Sequence, residues 1–170
     1  MLSHLLFQKG FIKMKNIHNA FTMIELVFVI VILGILTAVA VPKFGAVFQD
    51  AYNSKAAETV AAIRSSILNE RQRRIMTGGG SSYTPLLDDA RENVSGESLF
   101  DGNATVEMLM YPVYSGSKPG KWMKISDNSG DVIKYRYYLR NGEYVDFNYT
   151  KATGKFDCDH SDDTCKYLTE

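Results

Sequence analysis

Two cysteines, a knot of acids and one imidazole share the last stretch of a 170-residue chain, and little else in it could do chemistry. Residues 157–165 read DCDHSDDTC, and Cys158 and Cys165 are the chain's two cysteines. C-x6-C is not a usual zinc spacing and His160 is the single imidazole nearby, so a disulfide formed in an oxidising compartment is the better reading. The loop it closes is short, worth about 2.5 kcal/mol in the chain-entropy picture. Asp157, Asp159, Asp162 and Asp163 offer the hard oxygens that calcium takes. Position six from Asp157 is Asp162, however, where an EF-hand needs glycine. A solvated, disulfide-closed loop is the simpler reading; calcium is kept as the secondary one, and no other cofactor is expected. Asp127 and Asp131, around the NSG of DNSGD, read as a plain turn before they read as ligands.

No nucleophile and base stand at a catalytic spacing. A triad built on His160 would lie inside the cysteine loop, a poor place for a preorganised site. TGGGSS, residues 77–82, follows a helical pattern and lacks the P-loop lysine. An enzyme is not expected.

The other residue that asks for a chemical reason is Glu25. It heads a run, Leu26 to Val41, in which nothing is charged. Met23 to Val41 is nineteen residues, and at about 1.5 Å per residue this nearly matches a hydrocarbon core of roughly 30 Å. Lys9, Lys13 and Lys15 precede it without an acid, which places the N-terminus in the cytoplasm and the C-terminal bulk outside. Lys43, just past the run, weakens that asymmetry slightly. AVA at 38–40 also fits a signal peptide, releasing a soluble binding domain after Ala40. The run is longer than the usual h-region of 7–15 residues, and that reading leaves Glu25 unexplained. A single-pass anchor carrying a binding module that never polymerises fits the length and leaves Glu25 equally unexplained.

FTMIELVFVIVILGILTAVAVP, residues 21–42, resembles the N-terminal signature of type IV pilins and of the pseudopilins of type II secretion and DNA-uptake machines. In that family a short basic leader is cut just before a Phe, and a Glu stands at the fifth mature position. The resemblance implies cleavage between Ala20 and Phe21, N-methylation of Phe21, and assembly roles for Thr22, Glu25, Gly34 and the helix-bending Pro42. The family usually has Gly before the cut; this chain has Ala20, the next smallest side chain. MKNIHNA, residues 14–20, would make a leader of seven residues. Lys9-Gly10 can be encoded as a purine-rich ribosome-binding stretch, so residues 1–13 are expected to be translated upstream sequence. His4 and His18 fall in this leader.

Glu25 lies four residues past Phe21, on the same helix face. A carboxylate near hydrocarbon normally has a partner, and the resemblance implies the Phe21 ammonium of a neighbouring subunit, a charge that methylation preserves. The bland alternative is a carboxylate favoured by the helix dipole. Implied partners are identical and related pilin subunits, a prepilin peptidase and an inner-membrane assembly platform with its ATPase. The implied location is the bacterial inner membrane, single-pass with the head in the periplasm, and then a periplasmic pseudopilus or surface filament.

These residues need elements to hold them. Ala56, Val60, Ile63, Ile67 and Ile75 follow helical spacing, with Glu58, Arg64, Glu70 and Arg73 on other faces, and the glycines of TGGG end the pattern. The expectation is one helix over 22–76, bent at or near Pro42: a membrane and assembly half (21–42) and an amphipathic stem (43–76), followed by a globular head (77–170). RQRR, Arg71 to Arg74, reads as a solvated helix end, with cations favoured by the dipole. TPLLDDARENV predicts a short helix capped by Thr84 with Pro85 at its first position. ATVEMLMYPVY fits a strand or a helical turn. KWMKIS, VIKYRYYL and EYVDFNYT read as antiparallel strands, the last two joined by a two-residue Asn141-Gly142 turn, and KATG turns into KFDC. Alternation puts Val145, Phe147 and Tyr149 on one face, against the stem. The fold class is α+β: a long bent N-terminal helix packed on a C-terminal antiparallel sheet, as in pilin-like heads. Lysine plus arginine and aspartate plus glutamate both number 19, which argues against a dedicated nucleic-acid binder. Tyrosines at strand spacing serve sheet packing better than stacking on DNA.

Overall fold

A computed structural model describes residues 21–127 and 130–169. The leader assigned to residues 1–20, with Ala20, His4 and His18, lies outside the described residues. The chain divides after Pro42 into two compact units.

The described part of the first unit is the start of a long helix, α1 (Met23–Met76), which has Pro42 within it. From Phe21 to Pro42 every residue is exposed. The segment is apolar all round, so no face is marked out for burial in its own fold.

The second unit begins at Lys43 and holds the rest of α1, the amphipathic stem. Ala56, Val60, Ile63 and Ile67, spaced by four, three and four, are each at most 1% exposed. The stripe does not continue to Ile75, which is half exposed. Its next member is Glu70, seven residues past Ile63 and therefore on the same face, and it is buried. The expectation for these two residues is thus reversed. Glu70 stays tolerable there because Arg73 reaches it at 2.7 Å and Arg74 at 3.3 Å.

After the helix come four two-residue strands, β1 (Ser98–Leu99), β2 (Gly102–Asn103), β3 (Val106–Glu107) and β4 (Val113–Tyr114). β1 pairs with β4 and β2 with β3, both antiparallel, so the segment left open between strand and helical turn holds two short strands, Val106–Glu107 and Val113–Tyr114, and no helical turn. The short helix expected from Thr84 does not form. Its hydroxyl donates forward to the Leu86 carbonyl instead of capping a helix. Leu87 and Asp88, adjacent in sequence, are both fully buried, and Asp88 is drawn inward by bonds to distant partners.

The main sheet is a meander of four antiparallel strands, β5 (Trp122–Asp127), β6 (Val132–Tyr138), β7 (Tyr144–Thr150) and β8 (Lys155–Cys158), in that spatial order. Alternation is regular on β6 and β7: Ile133, Tyr135 and Tyr137 point in beside Val145, Phe147 and Tyr149. With Trp122, Phe156 and Phe100 they meet the stem stripe in one aromatic-rich core. β5 slips register between Lys124 and Ser126, which leaves Ile125 unpaired as a bulge does.

The β6–β7 connection is longer than the two-residue turn expected. Arg140–Gly142 form a 3-10 turn, closed by the Leu139 N–H donating to the Glu143 carbonyl. Gly142 takes the left-handed conformation (φ 79°), which suits the end of a three-residue hairpin loop. A helix that the sequence reading missed closes the chain, α2 (Asp163–Thr169), with Cys165 and Leu168 buried. Asp162 accepts the Thr164 N–H at 2.8 Å, and an acid before an apolar i, i+3 pair is the signal that could have found it.

Both sheet edges are covered, as exposed edges must be to prevent edge-to-edge pairing. Along β5, the Asn93 N–H donates to the Lys124 carbonyl and the Asp127 N–H to the Glu92 carboxylate. Along β8, the Arg64 guanidinium of the stem donates to the Phe156 carbonyl at 3.0 Å and to Asp157 at 3.0 Å.

Candidate assembly segment

Thr22 starts the apolar helix by a mechanism the sequence spells out. Its hydroxyl accepts the Glu25 N–H at 3.3 Å and its carbonyl accepts the Leu26 N–H at 3.2 Å. Thr-x-x-Glu is a capping box, in which the glutamate ordinarily reaches back to the N-cap N–H. Here the forward half is made. Among the described residues the Glu25 carboxylate has no hydrogen-bonding or ionic partner, and its side chain is exposed. A carboxylate in the first turn is favoured by the helix dipole, but the dipole leaves its oxygens free for a further group.

Phe21 is 70% exposed, as befits a residue at the mouth of the helix rather than in a core. A Cβ added at Gly34 would meet nothing within 4 Å. No feature of the monomer requires glycine there, and the same bareness makes a close approach by another helix possible. Pro42 lacks the N–H that would bond to the carbonyl four residues back. The Thr37 hydroxyl, by contrast, donates to the Leu33 carbonyl at 2.6 Å, which hides its polarity in an apolar setting. Among the described residues α1 is the single helix long and apolar enough to cross a membrane.

The acidic C-terminal region is organised differently from a cation cage. Cys158 and Cys165 form the disulfide, so Cys165 is not a ligand for a metal between Asp157 and His160. The Asp157 carboxylate accepts from Arg64 at 3.0 Å, His160 at 3.0 Å and Lys155 at 2.9 Å. Burial pushes its pKa up, but hydrogen bonds from Lys155, His160 and the Cys158 N–H outweigh that and hold it below the usual carboxylate range. Asp159 accepts the Ser161 N–H, Asp162 the Thr164 N–H, and Asp163 pairs with Lys166. Asp127 lies between Lys124 and Lys151, and Asp131 is exposed. Each of these acids except Asp131 is already satisfied by a cation or a backbone donor.

Arg71 to Arg74 do more than solvate a helix end. Arg71 donates to the Ser81 carbonyl and lies 4.5 Å over the Tyr83 ring, while Arg74 donates to the Tyr83 carbonyl. They fasten the chain that leaves the helix. The sequence reading also missed a buried polar centre. Asp88 accepts from the Lys124 ammonium at 3.3 Å, the Tyr135 hydroxyl at 2.9 Å and the Phe100 N–H at 3.1 Å. Burial raises the Asp88 pKa against the opposing pull of Lys124, and burial next to Asp88 pushes the Tyr135 phenol well up. No local pattern announces it, because the four groups come from four separate segments.

The comparisons bear on the first of these sites. Residues 15–41 match the family described as "Prokaryotic N-terminal methylation motif". A 48-residue stretch is 50% identical to the type IV narrow pilus major component PilA5 of Thermus thermophilus. That match takes in 28% of this chain and 41% of the relative, so it spans less than half of either. No solved structure matches the chain. The methylation motif lies over the start of the apolar helix and a pilus component matches at half of the aligned positions, so what the chain shares with type IV pilin-like proteins is this short stretch.

Proposed function

We propose that the chain is a structural subunit of a type IV pilus-class filament, anchored in the membrane by residues 21–42 before it polymerises through them. The observation that carries this reading is a capped, wholly exposed apolar segment, residues 21–42, whose one carboxylate, Glu25, has no partner among the described residues. Water is a poor solvent for such a surface, and either lipid or the helices of other subunits would cover it. Cleavage between Ala20 and Phe21 by a prepilin peptidase would create an ammonium at Phe21, and the amine of a neighbouring subunit would face Glu25 and set the register of assembly. In this reading an assembly platform supplies the energy, and the protein itself performs no reaction.

The N-terminal sequence and intact mass of the protein from its own cells test this directly. A chain beginning at Phe21 and heavier by one methyl group is expected. A start near Val41 would instead make it a secreted soluble domain, and an uncut chain a simple anchor. Glu25→Ala should abolish filaments while leaving the folded head and membrane insertion unchanged; filaments of normal yield would remove Glu25 from the mechanism.

A further inference from the structure

Four cations ring one open cleft of about 420 Å³ in the second unit: Lys55 from the stem, Lys118 and Lys121 from the loop before β5, and Arg140 from the β6–β7 turn, around Tyr52. Among the described residues no acid lines the cleft. Among the described residues, none of the four has a carboxylate within ion-pair distance, although most other basic side chains of the head do. Glu58 lines the neighbouring groove with Lys55 yet does not reach it as an ion pair. Like charges gathered without counter-charges repel one another, and a site of this sort draws an anion.

The cleft is held near one end of the stem. Arg140 Nη1 donates to the Gly45 carbonyl at 2.7 Å, and the Tyr137 hydroxyl donates to the Tyr52 carbonyl at 2.7 Å. Gly45 comes three residues after Pro42. On either side of the Gly45 anchor the helix still presents Phe44, Val47 and Phe48, each more than half exposed, at i, i+3 and i+4 on one face. Apolar surface therefore continues past Lys43 to within four residues of Tyr52. A lysine flanked by such residues can snorkel toward the headgroups.

We propose that this cleft docks the head on the phosphates of anionic phospholipids while the subunit is in the membrane. The inference rests on membrane anchoring as proposed above. Exposed Phe44, Val47 and Phe48 would enter the interfacial region, and Lys55, Lys118, Lys121 and Arg140 would meet the phosphate layer just beyond it. The charges at the head's base then hold the subunit in the bilayer, and extraction into a filament has to break that contact. Each cation near an anionic surface strengthens such docking roughly five-fold.

The test uses the full chain in nanodiscs of phosphatidylcholine alone or mixed with phosphatidylglycerol, read by amide hydrogen exchange over residues 116–121 and 140–143. Several-fold slower exchange in the anionic discs is expected. The difference should vanish at ~1 M salt, where the Debye length is about 3 Å, and in a Lys118→Gln/Lys121→Gln variant whose strand amides exchange as before. Equal exchange in both lipids overturns the proposal. Protection in neutral discs on adding inorganic phosphate would make this a soluble-anion site, and protection there on adding a short DNA duplex would make it a nucleic-acid site; either result overturns lipid docking. Failure of the chain to co-elute with discs of any composition would instead overturn the membrane anchoring on which the inference rests.

Discussion

Lys124 and Asp88 are both almost wholly buried, and each is tolerable because the other is there. Removing one partner of such a pair leaves a buried charge without compensation, which costs about 3–5 kcal/mol. Lys124→Met should therefore lower stability by about that amount in urea unfolding followed by near-ultraviolet circular dichroism. The double replacement Lys124→Met/Asp88→Leu should recover only part of the loss, because it removes both buried charges but leaves the Tyr135 hydroxyl and the Phe100 N–H without their acceptor. Tyr149 makes a smaller test of the same principle. Its hydroxyl donates to the Thr84 carbonyl at 2.6 Å in a buried setting, and burial raises its pKa to about 12. Tyr149→Phe should cost about 1–3 kcal/mol, because it leaves the Thr84 carbonyl unpaired.

Among the elements, the C-terminal closure is built from several small devices rather than one. The Cys158–Cys165 disulfide ties β8 to α2, and Arg64 reaches the Phe156 and Thr169 carbonyls from the stem. Replacing both cysteines by serine should cost about 2.5 kcal/mol in thermal or urea unfolding, with the rest of the sheet keeping its amide protection. The β7–β8 turn is less forgiving. Gly154 takes φ 68°, and a Cβ there would overlap the Tyr83 ring. Gly154→Ala should destabilise by more than the ~1 kcal/mol of backbone strain alone, because the ring that stacks under Arg71 must move as well.

What could be read in advance from these elements follows their range in sequence. The long helix, the meander β5–β8 and the inward face of Val145, Phe147 and Tyr149 were legible, since 3.6- and 2-residue periods are local properties. The cysteine pairing was legible because the choice was between two residues. Thr22 was singled out only as part of a signature, although Thr-x-x-Glu itself spells a cap. The expected helix after Thr84 failed because long-range bonds to Asp88 override a local propensity. Glu70 was misplaced for a related reason: a charged type outweighed its position seven residues past Ile63. The cleft cations lie on three separate elements, and no window of sequence holds them together.

For the whole molecule, acid is where the charge network shows itself. Asp157 and Glu97 have pKa values held below the ordinary carboxylate range, Glu97 by the Arg91 backbone N–H and guanidinium. Their contribution to stability is full above the unfolded value of about 4 and is lost as pH falls through their lower folded values. Asp88 opposes them: its raised folded pKa favours the protonated form, so its term weakens stability as pH rises from about 4 toward that value. Acid titration of unfolding free energy should therefore fall more gently than the wild-type Asp157 and Glu97 alone would dictate, and Asp157→Asn should flatten it further below about pH 4.

The aromatic core has one more consequence. Trp122 is the chain's single tryptophan, 2% exposed, with the rings of Phe100, Tyr137, Phe147 and Phe156 around it at 5.0–6.2 Å between centroids. Its fluorescence comes from the centre of the head and from nowhere else. Emission from the intact protein should be blue-shifted and should move to the red only when the sheet opens. The insertion, extraction and polymerisation proposed above can then be tested with an internal control in the same cuvette: a steady spectrum certifies that the head has stayed folded.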